Sequence, residues 1–91
     1  MKTLPLVSVV IPVYNAEKFI SKCLEHLVHQ TYDNLEIIVV DDGSKDGTVD
    51  VCAKYAKSDK RVHIIRQKNG GPSVALNAGL DAARGQWVHF H

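Results

Sequence analysis

The sequence carries no block of basic residues. Its 11 Lys and Arg are matched by 10 Asp and Glu, for a formal net charge of +1. A nucleic-acid binder needs a positive footprint against phosphates, so that class of function is set aside. No apolar run approaches the ~20 residues of a membrane span. The start, Met1 to Pro5, has one lysine and no long apolar core, so no secretory signal is expected. Cysteine is scarce: Cys23 and Cys52 each fall in an apolar helical stripe and read as small buried thiols rather than a disulfide or a metal pair. A reducing interior is the default compartment for such a chain. There is no internal repeat, linker or low-complexity tract. The turn Tyr14-Asn15-Ala16-Glu17 also lacks the G-x-G-x-x-G that brings backbone up to a pyrophosphate, which argues against an ordinary dinucleotide domain.

What is present suits one small domain of 91 residues, 45% of them hydrophobic. A chain this short hides roughly 60% of its unfolded surface, so its stability is expected to be marginal. Leu6 to Val13 and Leu35 to Val40 are nearly unbroken runs of branched apolar residues, the mark of strands buried on both faces. Phe19, Ile20, Cys23, Leu24, Leu27 and Val28 recur at three- and four-residue steps, which predicts an amphipathic helix, with Asn15 able to cap it. A second helix is expected from about Thr48, with Val51, Cys52, Tyr55 and Ala56 on one face and Ser44 or Asp46 as cap. Arg61 to Arg66 reads as a third strand. Pro72 suits the first turn of a third helix, which Ala75, Ala78, Gly79, Ala82 and Ala83 keep slim, with Gly85 as its stop signal. Gln86 to Phe90 begins a fourth strand.

Strands alternating with helices imply a three-layer α/β fold with a parallel four-stranded sheet, three helices and right-handed crossovers. The expected strand order is 3-2-1-4. Ligands of open α/β sheets sit where the order reverses, at the carboxyl ends of the strands. Here those ends are Pro12-Val13-Tyr14-Asn15 and the adjacent carboxylates Asp41 and Asp42.

Several chemistries use paired acids at a strand end. As a calcium loop, Asp42, Ser44, Asp46 and Gly47 fit the early positions, but the closing bidentate glutamate is replaced by Ala53. A phosphoacceptor receiver places its acid pair after the first strand and its accepting aspartate after the third, where this chain has Pro12-Val13-Tyr14 and Arg66-Gln67-Lys68. A further reading is recognition of a neutral base: one carboxylate accepts from a base N–H, Tyr14 offers a ring for stacking, and the other carboxylate bonds the amides of the Gly43-Ser44 turn. The bland alternative is that both acids only cap that turn and the helix behind it.

Four stretches carry a resemblance: VSVVIPVYN (Val7 to Asn15), EIIVVDDGSKDGT (Glu36 to Thr48), GPSVALNAGL (Gly71 to Leu80) and RGQWVHF (Arg84 to Phe90). Together they resemble family 2 glycosyltransferases of the GT-A fold, whose first half is Rossmann-like. The resemblance implies transfer of a sugar from a UDP- or GDP-sugar to an acceptor hydroxyl, usually with inversion. It implies nucleotide contacts from Pro12, Val13, Tyr14, Glu17, Asp42, Ser44, Gly71 and Asn77, with Asp42 bonding the base and the Gly71-Pro72-Ser73 turn lining the far wall. Leu76 stands where the family often has arginine. The family's Asp-x-Asp metal motif follows the fourth strand, and His91 falls about where that motif begins. No catalytic residue or metal ligand is therefore assigned within this chain. A divalent cation, Mg or Mn, is expected for a full-length parent.

Without that cation only Lys68, Arg66 and Lys45 offset the charge of a diphosphate, so weak nucleotide binding and no sugar transfer are expected of these residues alone. A non-catalytic nucleotide-binding or interaction module is the alternative. His26 with His29, and His89 with His91, read as surface or packing histidines. Trp87 and Phe90 read as core or sheet-face residues. An open edge at the last strand suggests a homodimer. The remainder of the parent chain is the other expected partner, and a cytoplasmic location, peripheral to the membrane at most, is the expected setting.

Overall fold

The structure is a computed structural model that describes residues 5–68, 70–85 and 87–90, the last four by their backbone. It shows the expected α/β class, with three helices on a parallel sheet. Strand β1 (Val7–Val13) leads to α1 (Glu17–Val28), β2 (Leu35–Asp41), α2 (Thr48–Ser58), β3 (Val62–Arg66), α3 (Pro72–Ala82) and β4 (Trp87–Phe90). The sheet runs β3-β2-β1-β4, every pair parallel, with Val13 of β1 opposite Asp41 of β2. β2 is buried at every position, which explains why its sequence shows no polar alternation.

Successive strand residues point to opposite faces, and this alternation divides the core in two. Val9, Ile11 and Val13 of β1 join Ile37 and Val39 of β2 against Ile20, Cys23, Leu24 and Leu27 of α1 and Cys52 of α2. Val10, Ile38 and Val40 face the other way, onto Ala75 of α3. Both cysteines are free and buried, and burial, with the Asp41 carboxylate adding to it, pushes the Cys52 thiol up to about 11. Phe19 departs from the expected stripe: it sits at the margin of the apolar face of α1 and is half exposed. His26 and His29 are both exposed on α1. The expectations placed on Trp87, Phe90, His89 and His91 concern side chains outside the described residues.

The slim face of α3 is required by contact. A Cβ on Gly79 would lie 2.2 Å from Cγ1 of Val10, a side chain with no exposed surface. Gly85 does not act as the helix stop. Helix α3 already ends at Ala82, and Gly85 instead lies against β1, where its N–H donates to Ser8 Oγ at 2.8 Å. A Cβ there would meet Ser8 Oγ at 2.6 Å and the Leu6 carbonyl oxygen at 2.8 Å.

The same corner holds a buried carboxylate that the residue pattern did not reveal. Glu36 Oε1 accepts from Ser8 Oγ at 2.9 Å and from the Arg84 N–H at 2.8 Å, and Oε2 pairs with Arg84 Nε at 3.2 Å. Burial raises the Glu36 pKa, but these donors and the guanidinium charge outweigh it and hold the carboxyl below its ordinary value. Among the described residues no helix is long and apolar enough to cross a membrane.

Two outcomes are expected of this packing. Gly79→Ala gains about 1 kcal/mol of helix propensity but forces a methyl into Val10, a strain of roughly 1–3 kcal/mol. Denaturant melts should therefore show net destabilisation, and a stabilised variant would contradict the contact. Because the Glu36 pKa is depressed on folding, its contribution is present at neutral pH and lost as pH falls through the folded value. Thermal melts from neutral to acid pH should show stability falling, with a shallower fall in Glu36→Gln.

Candidate functional site

The carboxyl ends of β1 and β2 lie side by side, and the Asp42 N–H extends the ladder by donating to the Val13 carbonyl at 2.9 Å. The strand pleat then separates the two acids. Asp41 belongs to the α1/α2 side, near Cys52, whereas Asp42 meets the loop that opens α3. Adjacent like charges are tolerated here because consecutive side chains leave the strand in opposite directions.

Asp41 is fully buried, and its Oδ2 accepts from the Ser44 N–H at 3.1 Å, the turn-holding role expected of one acid of the pair. Its Oδ1 is buried with no partner among the described residues. Asp42 is nearly as buried but densely bonded. Its Oδ1 accepts from Gln67 Nε2 at 2.8 Å and the Gly70 N–H at 2.7 Å, and its Oδ2 from the Gly71 N–H at 3.0 Å. The Gln67 amide, then the Gly70 and Gly71 N–H groups, hold this carboxyl below the usual aspartate range against an opposing effect of burial. Gly71 reaches Asp42 with φ of +89°, a left-handed conformation suited to glycine, and then hands over to Pro72 at the start of α3.

Asp42 and Tyr14 line one pocket, with Pro12, Val13, Pro72 and Ala75, of about 170 Å³. Tyr14 is 47% exposed. Of the other residues expected at the site, Gly71 bonds Asp42, and Glu17, Ser44 and Asn77 are not among those lining this pocket. Ser44 Oγ accepts from the Asn15 N–H at 2.8 Å. Glu17 Oε1 accepts from the Gly47 N–H at 3.0 Å, and Glu17 lines a second pocket with Asn15, Ala16, Lys18, Phe19 and Asp46. Asn77 is exposed on α3 and is not among the residues lining the Tyr14 pocket. Gln67, absent from the sequence reading of the site, is the side chain that grips Asp42. Its position directly after β3, level with the end of β2, was the available signal.

Asn15 does not cap α1, whose N-cap position is Ala16 without a side-chain bond. Asn15 has φ of +46°, and its Oδ1 accepts from the Lys45 N–H at 2.8 Å while its own N–H donates to Ser44. The Ala16 N–H donates to Thr48 Oγ1 at 3.0 Å, and Asp46 Oδ1 accepts the Thr48 N–H at 3.0 Å. These bonds staple the β1–α1 turn, which carries Tyr14, to the β2–α2 loop behind Asp41 and Asp42. Lys45, Arg66 and Lys68 are exposed. Among the described residues there is no group of three or more His, Cys, Asp or Glu that could hold a metal ion.

Residues 8–91 match the sequence model of glycosyl transferase family 2. The chain belongs to this family. A curated relative of the family 2 domain, the uncharacterized glycosyltransferase EpsJ of Bacillus subtilis, is 46% identical over 96% of this chain and 25% of its own length. Glycosyltransferase GlyG of Streptococcus pneumoniae is 44% identical over 91% of this chain and 28% of its own. The chain thus spans about a quarter of the length of the curated relatives it matches. Among solved structures, S. aureus TarS in complex with UDP-GlcNAc superimposes with a TM-score of 0.86 at 35% identity, covering 93% of this chain and 25% of TarS. The mannosyltransferase PcManGT of Pyrobaculum calidifontis, in complex with GDP-Man and Mn2+, gives 0.80 at 31% identity, covering 92% and 26%.

The staple makes a stability prediction for the family 2 domain. Asn15→Ala loses the bond to Lys45 and places a Cβ residue without a helpful side chain at positive φ, a loss of about 2 kcal/mol. Asn15→Gly keeps the backbone freedom and loses only the bond, so it should cost about half as much. Equal stabilities for all three proteins in denaturant would refute the staple.

Proposed function

We propose that this chain is the nucleotide-binding portion of a glycosyltransferase whose full length transfers a sugar from a nucleotide-sugar donor to an acceptor hydroxyl. The observation that carries the reading is the convergence of Tyr14 and Asp42, from the ends of neighbouring strands, on one pocket. An ionised carboxylate is an acceptor only, so it pairs with a base N–H and repels phosphate. An exposed aromatic ring stacks on a base with little regard to its identity, an interaction worth roughly 1–3 kcal/mol. Pro12, Val13 and Ala75 supply apolar walls, and Pro72 closes the side toward α3. Glu17 and Ser44 hold the two loops of this site together through the Gly47 and Asn15 N–H groups.

The similarity to structures holding UDP-GlcNAc and GDP-Man supports a nucleotide-sugar as donor. In this reading transfer proceeds with inversion, and a divalent cation takes its ligands from residues other than those described. The single domain is the amino-terminal part of its parent, located in the cytoplasm.

The test is a titration of UDP and GDP followed by amide chemical shifts. The 91-residue chain should bind more weakly than micromolar, with shifts centred on residues 12–14, 42 and 70–75. Tyr14→Ala should weaken binding about tenfold or more, and Asp42→Ala should do the same while its circular dichroism stays native. Unchanged affinity in both variants would sink the reading.

A further inference from the structure

Asp42 meets the pocket with most of its accepting capacity already used. A carboxylate offers about four acceptor positions, two on each oxygen. Among the described residues, Gln67 Nε2 and the Gly70 N–H occupy both positions of Oδ1, at 2.8 and 2.7 Å. The Gly71 N–H occupies one position of Oδ2 at 3.0 Å. Among the described residues one position is left without a donor, and Asp42 lines the same pocket as Tyr14. The three donors are fixed by the fold. Two are backbone groups of the loop that starts α3, and the third extends from the residue after β3, whose own N–H is tied to the Asp41 carbonyl at 2.9 Å.

Bases differ in how many donors they present. Uracil has one imide N–H. Guanine presents two neighbouring donors, N1–H and the 2-amino group, and satisfies them best with one acceptor on each oxygen of a carboxylate. At this site guanine would have to displace Gln67 or Gly70, or leave one of its own donors unpaired, and an unpaired buried donor costs more than a missing bond gains.

We propose that the occupied acceptors of Asp42 make this site select uracil over guanine, with Gln67 as the specificity-determining residue. The inference rests on the nucleotide-binding reading above and narrows it to a uridine diphosphate donor. Gln67 contributes a donor that fills an acceptor position and orients the carboxylate. Its replacement by an apolar residue frees one position on Oδ1 and admits a second donor from the base.

The experiment titrates the chain with UDP, GDP and the 3-methyluridine analogue of UDP, then repeats UDP and GDP with Gln67→Leu and Tyr14→Ala. UDP should bind about tenfold tighter than GDP, the loss expected for one unmatched hydrogen bond. The 3-methyl analogue, which lacks the imide N–H and needs no variant, should lose about the same factor. Gln67→Leu should narrow the preference for UDP by improving GDP relative to UDP. The proposal fails if GDP binds as tightly as UDP to the wild-type chain, if the methyl analogue binds like UDP, or if a folded Gln67→Leu keeps the wild-type ratio. A failure of that kind, with Tyr14→Ala still weakening both nucleotides, leaves the base-binding reading intact. Indifference of both nucleotides to Tyr14→Ala removes the site itself.

Discussion

The end of β2 is where the architecture and the chemistry of this domain meet. Two carboxylates follow one another there, and the pleat of an extended chain sends them to opposite faces. Asp41 goes to the α1/α2 side and holds the Ser44 turn, and Asp42 goes to the α3 side and gathers Gln67, Gly70 and Gly71. Each loop at this end of the sheet is thereby referred to a single rigid strand. β2 is buried along its whole length, so Asp41 and, directly after it, Asp42 leave from a strand held on both faces.

The energetic logic of the site follows from desolvation. A buried carboxylate is tolerated only when donors replace its lost water. For Asp42 they come from a side-chain amide and two backbone groups, none of them charged, so the carboxylate keeps its full negative charge and its acceptor character. A lysine or arginine in the place of Gln67 would have made it one half of an ion pair. Glu36, at the opposite end of the same strand, shows that alternative: Arg84 pairs with it, and its role is to tie α3 and the approach to β4 against β1 and β2. The strand therefore carries acids of opposite purpose at its two ends, and their partners decide which is structural.

Much of the fold was legible before any coordinates. Branched apolar runs marked the buried strands, three- and four-residue spacing marked α1 and α2, and the run of small residues around Gly79 marked a helix pressed onto the sheet. The pairing of Tyr14 with Asp42 in one crevice was legible for the same reason: parallel topology brings the carboxyl ends of neighbouring strands together whatever the loops do. Local sequence misled where a residue had two plausible partners. Asn15 looks like a helix cap because caps are the commonest use of an asparagine before an amphipathic stripe, yet its positive φ turns the side chain across to Lys45. Gly85 looks like a stop signal and is instead demanded by the closeness of Ser8 and Leu6.

The sequence by itself determined the period of each element, the alternation of strand and helix, and the placing of carboxylates and an aromatic ring at strand ends, because these depend on neighbours within a turn or a strand. Only the tertiary structure decided the partners of those groups. Gln67 lies 25 residues from Asp42 and Gly47 lies 30 from Glu17, and both contacts depend on how far each loop travels before it meets another. Hydrogen bonds of this kind are selected by distances of a few tenths of an ångström, which no local pattern encodes. Tertiary geometry, through those partners, set how many acceptors Asp42 has left to offer.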